Sequence, residues 1–329
     1  MSLWHSLQLP QSQLSLAAIE WYASNKTRPL CFIALSFRTL SHLPTLHLSL
    51  RNAETLVWLN DYFQLEVDLE KLYLDWAARD KVFSSIETRF AGIRMLRQDP
   101  WENLISFICS SNNNIGRITK MVQNLCTHYS PPLLSLADPS DPTTEVQYHP
   151  FPSPSVLAAS NVGSTLRGLG FGYRADFIQR TAKMLVDTHG EGAEKFLASL
   201  RDADTATARE ELLKFVGVGR KVADCVLLMS LDKKEVIPVD THVHQIAIKH
   251  YGLKGSLTSK TTMNPKLYEE INSKLVTVWG DYAGWAHSVL FTSDLKAFAS
   301  YGLEAPTTTG LPTPPSTTIT KQTEERGHR

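Results

Sequence analysis

The segment F-V-G-V-G-R-K-V-A-D-C, residues 215–225, decides the fold of this chain. A helical pattern ends near Phe215, Gly217 and Gly219 follow, and an apolar helical pattern resumes at Lys221. Glycines permit a tight turn and a close approach of the backbone, and the first N–H groups of the second helix are free to bind an anion such as phosphate. We therefore predict two helices joined by a glycine turn over about residues 206–231. Because G-x-G alone is a weak signal, an ordinary helix–helix turn is the alternative.

A carboxylate follows this hairpin in the segment I-P-V-D-T-H, residues 237–242. Asp240 is placed to cap the start of a further helix. A lysine whose ammonium is partly desolvated can lose its proton and attack a sugar carbon, and a nearby carboxylate stabilises the positive charge that develops at the sugar. Lys221 and Asp240 are thus candidate catalytic residues, with an ordinary buried ion pair between them as the alternative.

The bulk composition is typical of a soluble globular chain and restricts the sites that it can carry. Lys and Arg number 33 and Asp and Glu number 33, so the net charge is zero and any nucleic-acid contact must come from a local site. No apolar run approaches the roughly 20 residues of a membrane helix, and the N-terminus has no secretion signal. No two cysteines form a C-x-x-C pair, so we expect reduced thiols, no metal site and no cofactor. The cysteines are Cys31, Cys109, Cys126 and Cys225.

The chain divides into a strand-like beginning, a helical body and a polar tail. Strand character occurs before residue 60, in C-F-I-A-L-S-F and T-L-H-L-S-L, a region that has no glycine. From Leu65 the pattern is helical, and Asp99 with Pro100 predicts the start of a helix over W-E-N-L-I-S-F-I-C-S. Prolines predict a loop over about 130–155, and Thr, Pro and Ser predict a disordered tail from Ala305.

Six segments between about Asp61 and Lys296 read L-R-Q-D-P, F-I-C-S-S-N-N-N-I-G-R-I, L-G-F-G-Y-R-A, G-V-G-R-K-V-A-D-C, P-V-D-T-H and Y-A-G-W-A-H-S-V-L-F. They resemble the motifs of the helix-hairpin-helix DNA glycosylases with a Gly/Pro…Asp motif, and more narrowly of eukaryotic 8-oxoguanine DNA glycosylases. The resemblance implies an α+β fold, with a mostly α-helical core and an altered or incomplete N-terminal antiparallel β domain similar to the TATA-binding protein. It places this domain at 1–88, the catalytic domain at 89–304 and the tail at 305–329.

The resemblance also implies a reaction. Lys221 matches the family's nucleophile, which forms a Schiff base with the sugar, and Asp240 matches its catalytic carboxylate. Such an enzyme excises a damaged base and then cleaves the strand by β-elimination, without a metal in the chemistry. Gly217 and Gly219 match the hairpin that holds the DNA backbone.

Four residues match positions that contact the strand opposite the lesion. A base inside a duplex must be flipped out before it is reached, and Asn112 matches the residue that fills the vacated space. Tyr173 matches the wedge beside the estranged base, and Arg117 and Arg174 match the pair that reads the opposite cytosine. Without the resemblance, the Asn run would be a helix cap and the arginines would be surface or phosphate-contacting residues.

Four further residues match positions around the flipped base. Phe291 matches the aromatic residue that stacks on the base and Cys225 lines its other face, although both would otherwise be assigned to the core. His242 matches a contact to the phosphate near the lesion. His287 stands where relatives usually carry a Gln that reads the pairing edge of the base, and we expect the contact to survive with altered selectivity.

Two other departures from the family concern backbone features. The hairpin reads F-V-G-V-G and lacks the usual Pro before the first glycine, which should soften the turn. The family's N-terminal motif G-Q-S-F-R-W, whose Gly carbonyl recognises the N7–H of oxidised guanine, has no counterpart, and the resemblance is lost over about 15–60. We hypothesise an altered splice form, a gene-model error or a divergent replacement.

The prediction is a bifunctional DNA glycosylase and AP lyase that excises oxidised guanine, as 8-oxoguanine or formamidopyrimidine, opposite cytosine. Its expected partner is double-stranded DNA containing that lesion, and we expect a monomer in the nucleus, or in mitochondria, without membrane contact. Two alternatives stay open: a non-catalytic helix-hairpin-helix DNA-binding protein, and a lyase or glycosylase whose lesion choice is altered because the N-terminal motif is missing.

Overall fold

A computed structural model describes residues 50–138, 141–255, 263–295, 298, 299 and 301. The helices before the small sheet are α1 (Leu50–Tyr62), α2 (Leu69–Arg79), α3 (Lys81–Ser84), α4 (Pro100–Ser110) and α5 (Ile115–Tyr129). The strands β1 (Leu134–Asp138) and β2 (Asp141–Tyr148) follow. The later helices are α6 (Pro154–Leu157), α7 (Val162–Gly168), α8 (Arg174–His189), α9 (Ala193–Ser199), α10 (Thr205–Leu213), α11 (Arg220–Ser230), α12 (Thr241–Tyr251), α13 (Pro265–Trp279) and α14 (Ala283–Asp294). The mostly helical core that the sequence predicts is confirmed.

The predicted hairpin consists of α10 and α11. Asp204 caps α10, because its side chain accepts hydrogen bonds from the backbone N–H groups of Ala206 and Thr207, both at 3.0 Å. The turn runs from Lys214 to Gly219, and α11 then enters the core, where it is buried from Val222 to Ser230. The hairpin is therefore stabilised by the Asp204 cap at the start of α10 and by the burial of α11.

Two buried helices, α4 and α11, form the centre of the molecule. Asp99 caps α4 by accepting from the N–H of Glu102 at 2.9 Å, and Pro100 occupies the first helical position, as the sequence predicts. Nine residues of each helix are buried, and each fully buried aliphatic or aromatic side chain contributes about 1.5–3 kcal/mol. Side chains at the ends of these two helices are therefore held on a rigid support.

The described part of the N-terminal region is helical. The strand prediction is wrong at Leu50, the last residue of T-L-H-L-S-L, which begins α1 because L-R-N-A-E-T-L-V-W-L contains good helix formers without Gly or Pro. The other predicted strand residues lie outside the described ranges, and so does the predicted tail from residue 305. Tyr73, Trp76 and Phe83 join the main core, where Phe83 makes edge-on ring contacts with the other two at 5.3 Å.

A buried carboxylate ties the N-terminal helices to the C-terminal half. Asp80 caps α3 and accepts hydrogen bonds from the Tyr251 hydroxyl at 2.7 Å and from Trp279 Nε1 at 3.0 Å. Since Tyr251 ends α12 and Trp279 ends α13, Asp80 joins the end of α2 to these two later helices. The main hydrophobic core includes residues on both sides of the predicted domain boundary at residues 88 and 89, which stays a prediction.

A small antiparallel sheet occupies the region predicted as a loop over 130–155. Strands β1 and β2 pair with Leu134 opposite Tyr148 and Leu136 opposite Val146. The prolines that indicated a loop lie mainly before and after this ribbon, and β2 includes Pro142, which an edge strand tolerates. The loop prediction is therefore wrong for residues 134–138 and 141–148, which form this ribbon. Among the described helices, none is long and apolar enough to cross a membrane.

Candidate active site

Lys221 lies in the first turn of α11 and faces the end of α4. Its Nζ is 3.5 Å from Ser110 Oγ, to which it donates, and 4.8 Å from the centre of the Phe107 ring. The side chain is half-buried, so the ammonium is partly removed from water. A lysine in such surroundings can act as a nucleophile after losing its proton.

Asp240 caps α12 through one carboxylate oxygen. Its Oδ1 accepts hydrogen bonds from the backbone N–H groups of His242 and Val243, both at 2.9 Å. The described residues supply no hydrogen-bond donor to Oδ2. Asp240 therefore keeps one oxygen for a charge that develops beside it, while the helix fixes the position of the other.

His287 is buried on α14 without a hydrogen bond. Its side chain is 6% exposed, and neither Nδ1 nor Nε2 has a partner among the described residues. Burial lowers the pKa of His287 from its usual 6.5 to about 4, and the charge of Asp240 only partly opposes this. At neutral pH His287 is thus a neutral imidazole that offers one donor and one acceptor to whatever enters the site.

The remaining predicted lesion contacts surround this histidine. Phe291 lies one turn along α14, with its ring centre 5.9 Å from that of His287 and 4.9 Å from that of His242. Cys225 lies one turn after Lys221, and burial raises the pKa of its thiol to about 11 although Lys221 opposes the shift. The charges of Lys221 and Asp240 both influence the pKa values of Cys225 and His287, so these four side chains lie near one another.

Asp294, which the sequence did not single out, lies beside His242. Its Oδ2 is 3.2 Å from His242 Nε2, and its Oδ1 is 3.4 Å from Lys249 Nζ. The His242 contact is close enough for an ion pair when the imidazole is protonated, but the orientation is not that of a hydrogen bond. No sequence signal identified Asp294, because a lone Asp at the end of a helix has no distinctive spacing.

The predicted residues for the opposite strand form a second group at the loop after α4. Asn112 is exposed and has a φ of +49°, a left-handed conformation that Asn tolerates. Tyr173, which is 50% exposed, donates from its hydroxyl to the carbonyl of Ser111 at 3.0 Å. Arg117 is also exposed, and its Nη2 donates to the Gly170 carbonyl at 3.0 Å. Asn112, Tyr173 and Arg117 thus lie at the surface, as a contact to DNA requires.

Arg174 is placed differently from the other three. It is 3% exposed, and its Nη2 donates to the carbonyls of Ser111 and Asn112, the latter at 3.1 Å. The guanidinium also lies 4.5 Å from the centre of the Tyr173 ring. In this structure Arg174 therefore supports the loop that carries Asn112 and does not face solvent.

Residues 110–112 connect the two groups. Ser110 Oγ accepts from Lys221, and the next carbonyl, that of Ser111, accepts from Tyr173 and Arg174. Ser110, which contacts the candidate nucleophile, is thus followed directly in the chain by the exposed loop. Ser110 and Phe107 were not predicted as site residues, because only the fold brings them to Lys221.

The two hairpin glycines have different reasons to be glycine. Gly217 has a φ of +81°, a conformation that favours glycine. A Cβ at this position would lie 2.4 Å from Phe177 Cδ2, so the packing of Phe177 leaves no room for a side chain. At Gly219 a Cβ would meet no atom within 4 Å. Gly219 precedes α11 without a side-chain cap, and the first N–H groups of that helix are available to an anion.

The hairpin is also held from α8. The carbonyl of Val216, the residue that replaces the usual Pro, accepts a hydrogen bond from Thr181 Oγ1 at 2.9 Å. This contact and the packing of Phe177 fix the turn despite the missing proline ring. Among the described residues, no three His, Cys, Asp or Glu side chains form a group that could hold a metal ion.

A half-buried lysine at the start of α11, an aspartate that caps α12 with one oxygen left over, and a hairpin that offers helix N–H groups are the arrangement expected of a DNA glycosylase of the helix-hairpin-helix class. The family model described as HhH-GPD superfamily base excision DNA repair protein matches residues 105–271, about half of the chain. The model described as 8-oxoguanine DNA glycosylase, N-terminal domain, matches residues 21–104. The chain belongs to the HhH-GPD superfamily of base excision DNA repair proteins. The N-terminal match includes 21–60, although G-Q-S-F-R-W is missing there.

Individual relatives agree with this family. The chain is 40% identical over 268 residues to the N-glycosylase/DNA lyase of Saccharomyces cerevisiae, with 76% of this chain and 68% of that protein covered. It is 41% identical over 237 residues to the N-glycosylase/DNA lyase OGG1 of Arabidopsis thaliana, with 72% and 61% covered. The Clostridium acetobutylicum 8-oxoguanine glycosylase/lyase, solved with double-stranded DNA containing cytosine opposite to 8-oxoG, matches with a TM-score of 0.59 and 28% identity over 73% of this chain and 74% of that one. The chain thus spans about two thirds of the length of its curated relatives.

Proposed function

We propose that this protein is a bifunctional DNA glycosylase and AP lyase that excises 8-oxoguanine opposite cytosine. The observation that carries the proposal is the placement of Lys221, half-buried at the start of α11, beside the site that Asp240, His287 and Phe291 line. The relatives named N-glycosylase/DNA lyase support the same two activities.

The first step brings the lesion to the site. The damaged nucleotide leaves the stack and enters the pocket, where Phe291 stacks on it and His287 hydrogen-bonds its pairing edge. Asn112 and Tyr173 fill and wedge the space that the nucleotide leaves, and Arg117 and Arg174 hold the estranged cytosine. Because Arg174 binds the carbonyls of residues 111 and 112 in the free protein, its contact with cytosine requires the loop to rearrange.

The second step breaks the bond to the base. Lys221, after giving up its ammonium proton, attacks C1′ of the sugar, and the electron pair of the C1′–base bond leaves with the base; the proton that the new C1′–nitrogen bond releases passes to the departing base. Oδ2 of Asp240 stabilises the positive charge that develops on the sugar. Ring opening gives the Schiff base, and loss of a proton from C2′ then expels the 3′ phosphate.

A panel of lesion duplexes tests this function directly. The wild-type protein is incubated with 8-oxoguanine, a formamidopyrimidine or an abasic site, each opposite every normal base, and excision and strand cleavage are measured separately. We expect excision of 8-oxoguanine opposite cytosine, strand cleavage at abasic sites, and a borohydride-trapped adduct. Salt-sensitive binding with no excision at any lesion would instead identify a non-catalytic DNA-binding protein.

A second candidate differs only in the preferred lesion. It is favoured by His287, whose two ring nitrogens have no partner in the described part of the chain, and by the missing G-Q-S-F-R-W segment. In that case the same panel shows faster excision of formamidopyrimidine than of 8-oxoguanine, with the lyase step intact. A nuclear location and a monomeric state stay predictions from the resemblance.

The buried imidazole of His287 gives a pH-dependent prediction for stability. The unfolded side chain titrates near its usual 6.5, whereas burial lowers the pKa of the folded one to about 4. Between these values the unfolded state binds more protons, so stability is fully present above pH 6.5 and falls as the pH is lowered, by up to about 3 kcal/mol. Urea unfolding at pH 7.5, 5.5 and 4.5 should show this loss in the wild type and a smaller one in His287→Gln. Equal losses in the two proteins would contradict a neutral, buried His287.

A further inference from the structure

A fully buried carboxylate lies three residues after Lys221 on α11. Asp224 is 0% exposed and accepts three hydrogen bonds: from Arg209 Nε at 2.7 Å, from Arg220 Nε at 2.9 Å and from the Tyr268 hydroxyl at 2.7 Å. Burying a charge is costly unless partners compensate it, and this set of donors does so. The network therefore ties α11, which carries Lys221, to α10 through Arg209 and to α13 through Tyr268.

Tyr268 connects this network to the segment that carries Asp240. It is 4% exposed, and its hydroxyl donates to Asp224 Oδ2 while accepting from the backbone N–H of Val239 at 3.0 Å. Burial and the charge of Asp224 raise the pKa of Tyr268 far above its ordinary value, so the hydroxyl keeps its proton. The Tyr268 hydroxyl oxygen thus links α11, which carries Lys221, to Val239, the residue directly before Asp240.

A second side chain of α13 holds the same segment one turn further along. Asn272 Nδ2 donates to the carbonyl of Ile237 at 2.9 Å. Tyr268 and Asn272 therefore grip residues 237–239 from one helix face, on either side of Pro238, which has no N–H of its own. The backbone that leads into Asp240 is fixed at both ends of this three-residue stretch.

We propose that Tyr268 and Asn272 are positioning residues that set the carboxylate of Asp240 against Lys221 through Asp224 and the backbone of residues 237–239. This inference rests on the proposed function. Neither side chain reaches the reacting atoms, so both act through Asp240. Since misplacement of a catalytic group by about 1 Å can reduce a rate by about a hundredfold, their loss affects the chemical step and leaves duplex binding unchanged.

The test compares Tyr268→Phe with a matched control, Tyr73→Phe. Tyr73 is also buried, and its hydroxyl contacts the carbonyls of Phe90 and Ile93 at 2.9 and 3.1 Å, in the core between α2 and residue 93. Single-turnover excision of 8-oxoguanine, strand cleavage at a preformed abasic site, duplex affinity and thermal unfolding are measured for both. We expect Tyr268→Phe to slow excision by about tenfold or more and abasic-site cleavage much less, with duplex affinity unchanged, while Tyr73→Phe keeps wild-type rates.

A double variant separates positioning from a general loss of stability. If Tyr268 acts through Asp240, adding Tyr268→Phe to Asp240→Asn causes no further loss of excision, because residues that act as a unit are not additive. Additive losses, or a Tyr268→Phe rate equal to that of Tyr73→Phe, would overturn the inference while leaving the proposed function standing. Asn272→Ala provides the same comparison if Tyr268→Phe does not fold. A wild-type protein without excision or trapping would overturn the proposed function and this inference with it.

Discussion

Lys221→Gln is expected to abolish the borohydride-trapped adduct with an 8-oxoguanine:cytosine duplex and to reduce excision by about 10³-fold or more, the scale on which loss of a nucleophile acts. Glutamine keeps most of the length of the side chain and its hydrogen-bonding capacity but has no amine that can form a Schiff base. Since Lys221 contributes one long hydrogen bond to Ser110 and a contact with the Phe107 ring, we expect little change in thermal stability.

Lys234→Gln is the matched control for this substitution. Lys234 is also half-buried, with its Nζ 3.3 Å from the Tyr282 hydroxyl and 5.0 Å from the centre of that ring. It should retain excision and trapping at wild-type levels. An adduct that persists in Lys221→Gln, or that is lost equally in both variants, would remove Lys221 from its proposed role.

Asp240→Asn is expected to lower single-turnover excision by about a hundredfold while preserving the fold. The Asn side-chain oxygen can still accept the N–H groups of His242 and Val243, so the cap of α12 is kept. The substitution removes the negative charge that would stabilise the sugar as it becomes positive. Cleavage at a preformed abasic site should fall much less, because the base has already left.

Asp204→Asn controls for a change at a capping aspartate. Asp204 caps α10 with the same pattern of two backbone N–H groups but lies outside the proposed site. We expect unchanged excision in this variant. If Asp204→Asn and Asp240→Asn lose excision equally, the loss reports weakened helix caps and not the charge of Asp240.

The local features of the fold could be predicted from the sequence because they depend on neighbouring residues. Asp99 with Pro100 and Asp240 mark helix starts by side-chain capping, and the structure confirms both. The glycines of the hairpin were identified for the same reason, since a left-handed φ at Gly217 is a local requirement. The ribbon formed by residues 134–138 and 141–148 has no such local signal, because the prolines around it are typical of a loop.

The identity of the two candidate catalytic residues came from the sequence, and their surroundings came from the fold. Gly217 faces Phe177 and not an open surface, and Arg174 lies beneath the loop that it was expected to accompany on the outside. The sequence identified both residues, but which neighbours bury them depends on packing between helices. Such packing has no signature in a local pattern.

The sequence by itself determined the starts of α4 and α12, the glycine turn before α11, and that a lysine and an aspartate lie at the starts of α11 and α12. Only the tertiary structure decided that Ser110, 111 positions before Lys221, meets its amine, and that Tyr268, 44 positions after Asp224, joins the two catalytic segments. The physical reason is the separation along the chain between the groups that interact. Caps and turns are satisfied within a few residues, whereas the buried polar groups that set the geometry of the site find their partners only when the core closes.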